Sequence, residues 1–149
     1  MRVLHWRRAA ATVWSAVLLA TGAVVVPAEA AAPAAECYTR NGYPAQAGTT
    51  DIGGRPPKYK FTNSPYIGGL YESCSNNITV YYGGYSTNTT YYLLNWNSDR
   101  TDWTSQRLRA GAHMQWTLDA PGRGYNFLVR ACNDTRCTTW SPMIFVNAA

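Results

Sequence analysis

From residue 76 onward, short segments alternate apolar and polar side chains at period two, the spacing that sends successive residues to opposite faces of a β-strand. Ile78-Thr79-Val80-Tyr81-Tyr82 is β-branched or aromatic throughout and stops at Gly83-Gly84, which predicts a strand. Residues 90–96 predict a second, closed by the turn signal Asn97-Ser98-Asp99. The same reasoning predicts strands over 103–109, 114–118, 125–131 and 138–146. Between residues 37 and 73, Gly and Pro recur so often that only short strands and turns fit, and Lys58-Tyr59-Lys60-Phe61-Thr62 is the one strand predicted there. Pro56-Pro57 bars regular structure just before it. After the leader, no stretch of 11 residues keeps a helical apolar spacing free of Gly and Pro. About seven short strands separated by turn signals predict an all-β chain, an antiparallel β-sandwich.

The front of the chain follows another pattern. Arg2, Arg7 and Arg8 precede a run over 9–26 that is apolar apart from Thr12, Ser15 and Thr21, and Ala28-Glu29-Ala30 has the small-x-small form of a cleavage site. A membrane anchor is the alternative, but the run is at the lower edge of spanning length and its small-residue end favours cleavage. The expected organisation is a cleaved secretory signal over 1–30, a flexible Ala/Pro leader over 31–36, and one domain over 37–149. Cleavage would leave 149 − 30 = 119 residues and remove three Arg and Glu29 from totals of 13 Lys+Arg and 8 Asp+Glu. The remaining 10 basic and 7 acidic side chains are scattered, so neither a nucleic-acid track nor, after cleavage, a membrane partner is expected. A secreted monomer is.

The 4 cysteines, Cys37, Cys74, Cys132 and Cys137, all lie beyond the signal, and an even number in an oxidising compartment favours two disulfides. Cys132 and Cys137 enclose the turn-forming Asn133-Asp134-Thr135-Arg136 and can face each other across a hairpin, which leaves Cys37 for Cys74. Zinc fits poorly, because no second cysteine pair has ligand spacing and His113 is distant from all four in sequence. No metal or other cofactor is expected.

Residues 118–131, Leu-Asp-Ala-Pro-Gly-Arg-Gly-Tyr-Asn-Phe-Leu-Val-Arg-Ala, followed by Asn133 and the closing Thr139-Trp140-Ser141-Pro142, resemble the end of a fibronectin type III domain. The Ala-rich leader resembles those of secreted actinobacterial proteins. The domain resemblance covers about residues 76–146. It implies a fibronectin type III-like sandwich, with Tyr125 as the corner tyrosine and Phe127, Val129 and Ala131 as core. This sequence departs from the family in lacking the usual Trp of the second strand, where Tyr81 and Tyr82 stand.

Catalytic signatures are missing: no Gly-x-Ser-x-Gly, His-Glu-x-x-His or Walker-type loop occurs. Two distant carboxylates such as Glu72 and Asp119 could still serve a hydrolase. His113, at a strand entrance, is expected at the surface. The aromatic content stands out more, with 11 Tyr, 3 Phe and the four Trp that follow the signal. Tyr81-Tyr82 and Tyr91-Tyr92 must each send one ring to either face of a sheet. If Tyr82, Tyr92, Leu94 and Trp96 point inward, then Tyr81 and Tyr91 point outward, joined by Tyr85 and Trp103. Such rings suit sugar stacking or a protein contact, although they could instead cover the core edge. The leading expectation is a non-catalytic binding module for an extracellular polysaccharide or secreted protein, using Tyr81, Tyr85, Tyr91 and Trp103. The alternative is an inhibitor of an extracellular hydrolase, with Arg136 on the clamped loop, and the third reading is the carboxylate hydrolase.

Overall fold

Tyr82, Tyr92, Leu94, Phe127 and Val129 are almost wholly excluded from solvent, and all of them lie in the alternating segments. In the computed structural model, which describes residues 34–85, 88–98 and 102–149, these side chains meet in the space between two antiparallel sheets. The predicted signal over 1–30 lies outside the described residues. Along the chain come β1 (Thr39–Asn41), β2 (Tyr43–Pro44), β3 (Thr50–Gly53), β4 (Lys58–Lys60), β5 (Tyr66–Glu72) and β6 (Asn77–Gly83). They are followed by β7 (Tyr91–Asn97), β8 (Thr104–Arg109), β9 (His113–Asp119), β10 (Tyr125–Cys132) and β11 (Ile144–Val146). One sheet has the order β3-β4-β5-β6-β9, with β1 also on β5; the other has the order β2-β11-β10-β7-β8. The described residues thus form an all-β sandwich.

Both disulfides take the predicted pairing, Cys37–Cys74 and Cys132–Cys137, and no described cysteine is free. Two such bridges indicate an oxidising, extracellular environment. No helix among the described residues is long and apolar enough to cross a membrane.

Alternation misses β1, β2, β3 and β5, and at β5, the longest of them, packing explains why. A Cβ on Gly69 would come within 2.5 Å of Val146 Cγ2, and one on Gly68 within 2.7 Å of the Pro57 carbonyl oxygen. Here the glycines admit neighbours on both faces of a strand: β11 on the inside, the 54–57 loop on the outside. At the other end of the chain, the strand expected over 138–146 shrinks to β11. Pro142 cannot donate to a ladder, yet Ser141 N–H still donates to the Val129 carbonyl at 2.7 Å, so residues 138–143 run along β10 as an irregular flank.

Core tyrosines carry their hydroxyls to backbone acceptors. Tyr92 O–H donates to the Tyr85 carbonyl at 2.7 Å, and Tyr82 O–H to the Arg109 carbonyl at 3.4 Å. Tyr66 O–H reaches the Ala112 carbonyl at 3.1 Å. Burial pushes the pKa of all three above the ordinary tyrosine value, aided at Tyr66 and Tyr82 by the neighbouring Tyr92, and opposed at Tyr92 by its bond to Tyr85. A raised phenol pKa means that the folded state prefers the neutral ring. The stability it contributes is fully present below about pH 10, the unfolded value, and is lost as pH rises through the folded values. In an alkaline titration followed at the phenolate absorbance, Tyr66, Tyr82 and Tyr92 should therefore ionise only as near-ultraviolet dichroism collapses, and their reversible ionisation with the fold intact would contradict this core.

Candidate functional site

The five predicted ligand-binding residues do not share one face. Tyr81 lies on the outer face of the β5-β6-β9 side, where the register sets it between Gly68 and Gln115. Tyr91 lies on the outer face of the opposite sheet, with the Arg107 guanidinium 3.7 Å from its ring centroid. Trp103 immediately precedes β8 on that same sheet and is 37% exposed. Tyr85 and Arg136 meet at one end of the sandwich, around a cleft of about 300 Å³. Parity along a strand separates inward from outward rings, as it does for Tyr82 and Tyr92, but it does not say which sheet an outward ring belongs to.

On the sheet that carries β7 and β10, Trp103 finds a partner that strand patterning overlooks. Leu128 and Asn95 are cross-strand partners and form a floor. Trp103 rises on the β8 side, Trp140 on the irregular flank beside β10, and together with Gln46 and Met143 they bound a depression of about 340 Å³. The signal for Trp140 was Pro142, which keeps β11 from starting earlier and leaves this indole on a flank, not in a ladder. The Arg130 guanidinium lies 4.5 Å from the Trp140 ring centroid and helps hold it. Two amides are fixed at the same place. Asn95 Oδ1 accepts from Ser105 Oγ–H at 2.8 Å, and Gln46 Oε1 accepts from Met143 N–H at 2.9 Å. With their oxygens engaged in this way, what each amide can still offer is its NH2 group, a donor.

The Cys132–Cys137 turn is rigid by a different route. Asn133 Oδ1 accepts from Thr135 N–H at 3.0 Å and Arg136 N–H at 2.9 Å, and Asn133 N–H donates to the Arg136 carbonyl at 2.9 Å. Arg136 therefore sits in a closed hairpin with its carbonyl already in use.

The carboxylates Glu72 and Asp119 flank Asn77 in one row across β5, β6 and β9, two strand spacings or about 10 Å apart. Both are exposed, and neither is among the described residues that line the Tyr85–Arg136 cleft or the Trp103–Trp140 depression. His113 is exposed too, its Nδ1 3.1 Å from the Tyr66 hydroxyl. Among the described residues no group of three or more His, Cys, Asp or Glu is placed to hold a metal ion. The described lining of the Trp103–Trp140 depression thus offers two indoles and two amides. No protein-family model, curated protein or solved structure matches the chain.

Proposed function

We propose that the protein is a secreted, non-catalytic binding module that takes an extracellular polysaccharide between Trp103 and Trp140. The observation that carries this reading is the pairing of two indoles over a Leu128–Asn95 floor with two fixed amides. A sugar ring presents an apolar C–H face, which an indole covers, and a polar rim, which Asn95 and Gln46 can meet. Little has to be ordered on binding, because both amides are already held. The order β5-β6-β9 against β8-β7-β10-β11, with Phe127, Val129 and Ala131 buried, supports a fibronectin type III-like sandwich.

The inhibitor reading has less support, because a substrate-like loop presents an extended backbone to its protease, whereas the Arg136 carbonyl is closed into a hairpin. The hydrolase reading has less still, since Glu72 and Asp119 stand exposed on a sheet face.

Retention of the disulfide-intact protein on insoluble chitin, cellulose and purified cell wall tests the proposal. Trp103→Ala should keep its melting temperature and weaken retention on the preferred polysaccharide about tenfold, the loss expected for one stacking ring. Retention unchanged in this variant would assign Trp103 to the surface without a binding role.

A further inference from the structure

The opposite face of the sandwich carries a second concavity of different chemistry. β1 and β4 both pair with the same edge of β5, at its two ends: Asn41 is opposite Leu70, and Tyr59 is opposite Ile67. Gly68 and Gly69 fill the gap between them, and the 54–57 loop crosses the outer face there. That loop presses so close that a Cβ on Gly68 would lie 2.7 Å from the Pro57 carbonyl oxygen and 3.1 Å from Lys58 Cγ. Because Gly68 is the cross-strand partner of Tyr81, the position directly opposite the tyrosine on β5 carries no side chain, and Tyr66 and Leu70 stand to either side of it.

Two depressions result, and they adjoin. One of about 360 Å³ reaches from Tyr81 and Lys58 toward His113 and Gln115, and one of about 550 Å³ reaches from Tyr81 toward Leu70 and Asn41. Arg55 and Tyr81 line both, so they form one elongated groove. Among the described residues that line it, the charged side chains are basic: Arg55 and Lys58, with His113 beside them. Asp51 is the cross-strand partner of Tyr59, on the other face of β4 from Lys58, with its Oδ1 accepting from Gly53 N–H at 2.7 Å. Glu72 is the cross-strand partner of Thr39 and stands at the β1 end of the groove, in one row with Asn77 and Asp119, four residues or about 13 Å along β6 from Tyr81. A guanidinium and an ammonium beside a half-buried aromatic ring in a long groove match a polymer that offers a carboxylate and a pyranose ring in each repeat.

We infer that this groove binds an anionic, uronate-bearing polysaccharide, with Arg55 and Lys58 on the carboxylates and Tyr81 under a sugar ring. The site is separate from the Trp103–Trp140 depression and does not depend on it. The protein would then hold two polysaccharides of different charge on opposite faces.

Binding of the disulfide-intact protein to polygalacturonate, to the same polymer fully methyl-esterified, and to inorganic polyphosphate tests the inference. Polygalacturonate should bind, and esterification, which keeps the ring and removes the charge, should weaken binding at least tenfold. Arg55→Glu should weaken it to a similar degree, Tyr81→Ala should weaken polygalacturonate binding several-fold, and Trp103→Ala should leave it unchanged. Absence of polygalacturonate binding overturns the inference. So does polyphosphate binding of equal strength together with indifference to Tyr81→Ala, which would mean attraction to charge alone. Loss in Trp103→Ala with no loss in Arg55→Glu would also overturn it, by moving the polymer to the other sheet. Failure of neutral polysaccharides to bind would remove the Trp103 reading and leave this groove untouched.

Discussion

Removing the Tyr92 ring should cost about 3–5 kcal/mol of stability, and removing its hydroxyl alone about 1–2 kcal/mol. Tyr92 has no exposed surface and meets Tyr82 edge-on with ring centroids 5.1 Å apart, so Tyr92→Ala opens a void between the sheets and deletes an aromatic pair. Tyr92→Phe keeps the ring but strips the Tyr85 carbonyl of its 2.7 Å donor and the Tyr85 N–H of its 3.3 Å acceptor. Those bonds fasten the chain just after β6, where it leaves the sheet and carries Tyr85 to the end cleft. Because a small domain has only about 5–15 kcal/mol in total, the alanine variant should lie near the edge of folding, while the phenylalanine variant should fold normally. Urea unfolding of the two variants measures the difference. A phenylalanine variant as damaged as the alanine one would show that the hydroxyl network, not the ring, dominates at this position. Polysaccharide retention through Trp103 should survive Tyr92→Phe, since the Trp103–Trp140 depression shares no described residue with the Tyr85 cleft.

How much of this was legible in the sequence depends on what each residue had to satisfy. Where one face of a strand is buried and the other wet, alternation reports it, and β6, β7, β9 and β10 follow the sequence pattern within a residue or two at their ends. Tyr82, Tyr92 and Leu94 point inward for the same reason. β5 defeats that logic because its glycines are required by the approach of Val146 and Pro57, residues that are far from Gly69 or belong to an irregular loop. A period-two rule cannot see a contact made across the core. The cysteine pairing was legible because a turn sequence between Cys132 and Cys137 is a local signal, and the second pair needed no further one. The candidate surfaces were legible only in part. Consecutive tyrosines fix which rings leave the core, yet the sheet they leave from is decided by strand order, and this is why Tyr81 and Tyr91 ended on opposite sides. Arg55 joins Tyr81 only because β1 and β4 share one edge of β5, a topology with no sequence mark.

Breaking the Cys37–Cys74 bridge should destabilise the protein by about 4 kcal/mol, about twice the cost of breaking Cys132–Cys137, because loop-closure entropy grows with the length of chain enclosed. The separations are 37 and 5 residues. The longer bridge also has a local task. β1 is only three residues long, pairs only with β5, and begins two residues after Cys37. Its entry is otherwise held by Ser73 N–H donating to the Tyr38 carbonyl at 3.0 Å and by Tyr38 N–H donating to Ser73 Oγ at 2.8 Å, both at exposed positions. Since Thr39 and Asn41 wall the Arg55–Tyr81 groove, a frayed β1 takes that wall with it. The variant Cys37→Ser/Cys74→Ser should therefore unfold at lower urea than Cys132→Ser/Cys137→Ser. It should lose hydrogen-exchange protection at residues 39–41 before the core does, and bind polygalacturonate more weakly while keeping the Trp103 site. Equal costs for the two bridges would mean that the unfolded chain already holds Cys37 near Cys74. Unchanged protection at β1 would assign its order to the β5 ladder alone, and the bridge would then act on the unfolded state without shaping the groove.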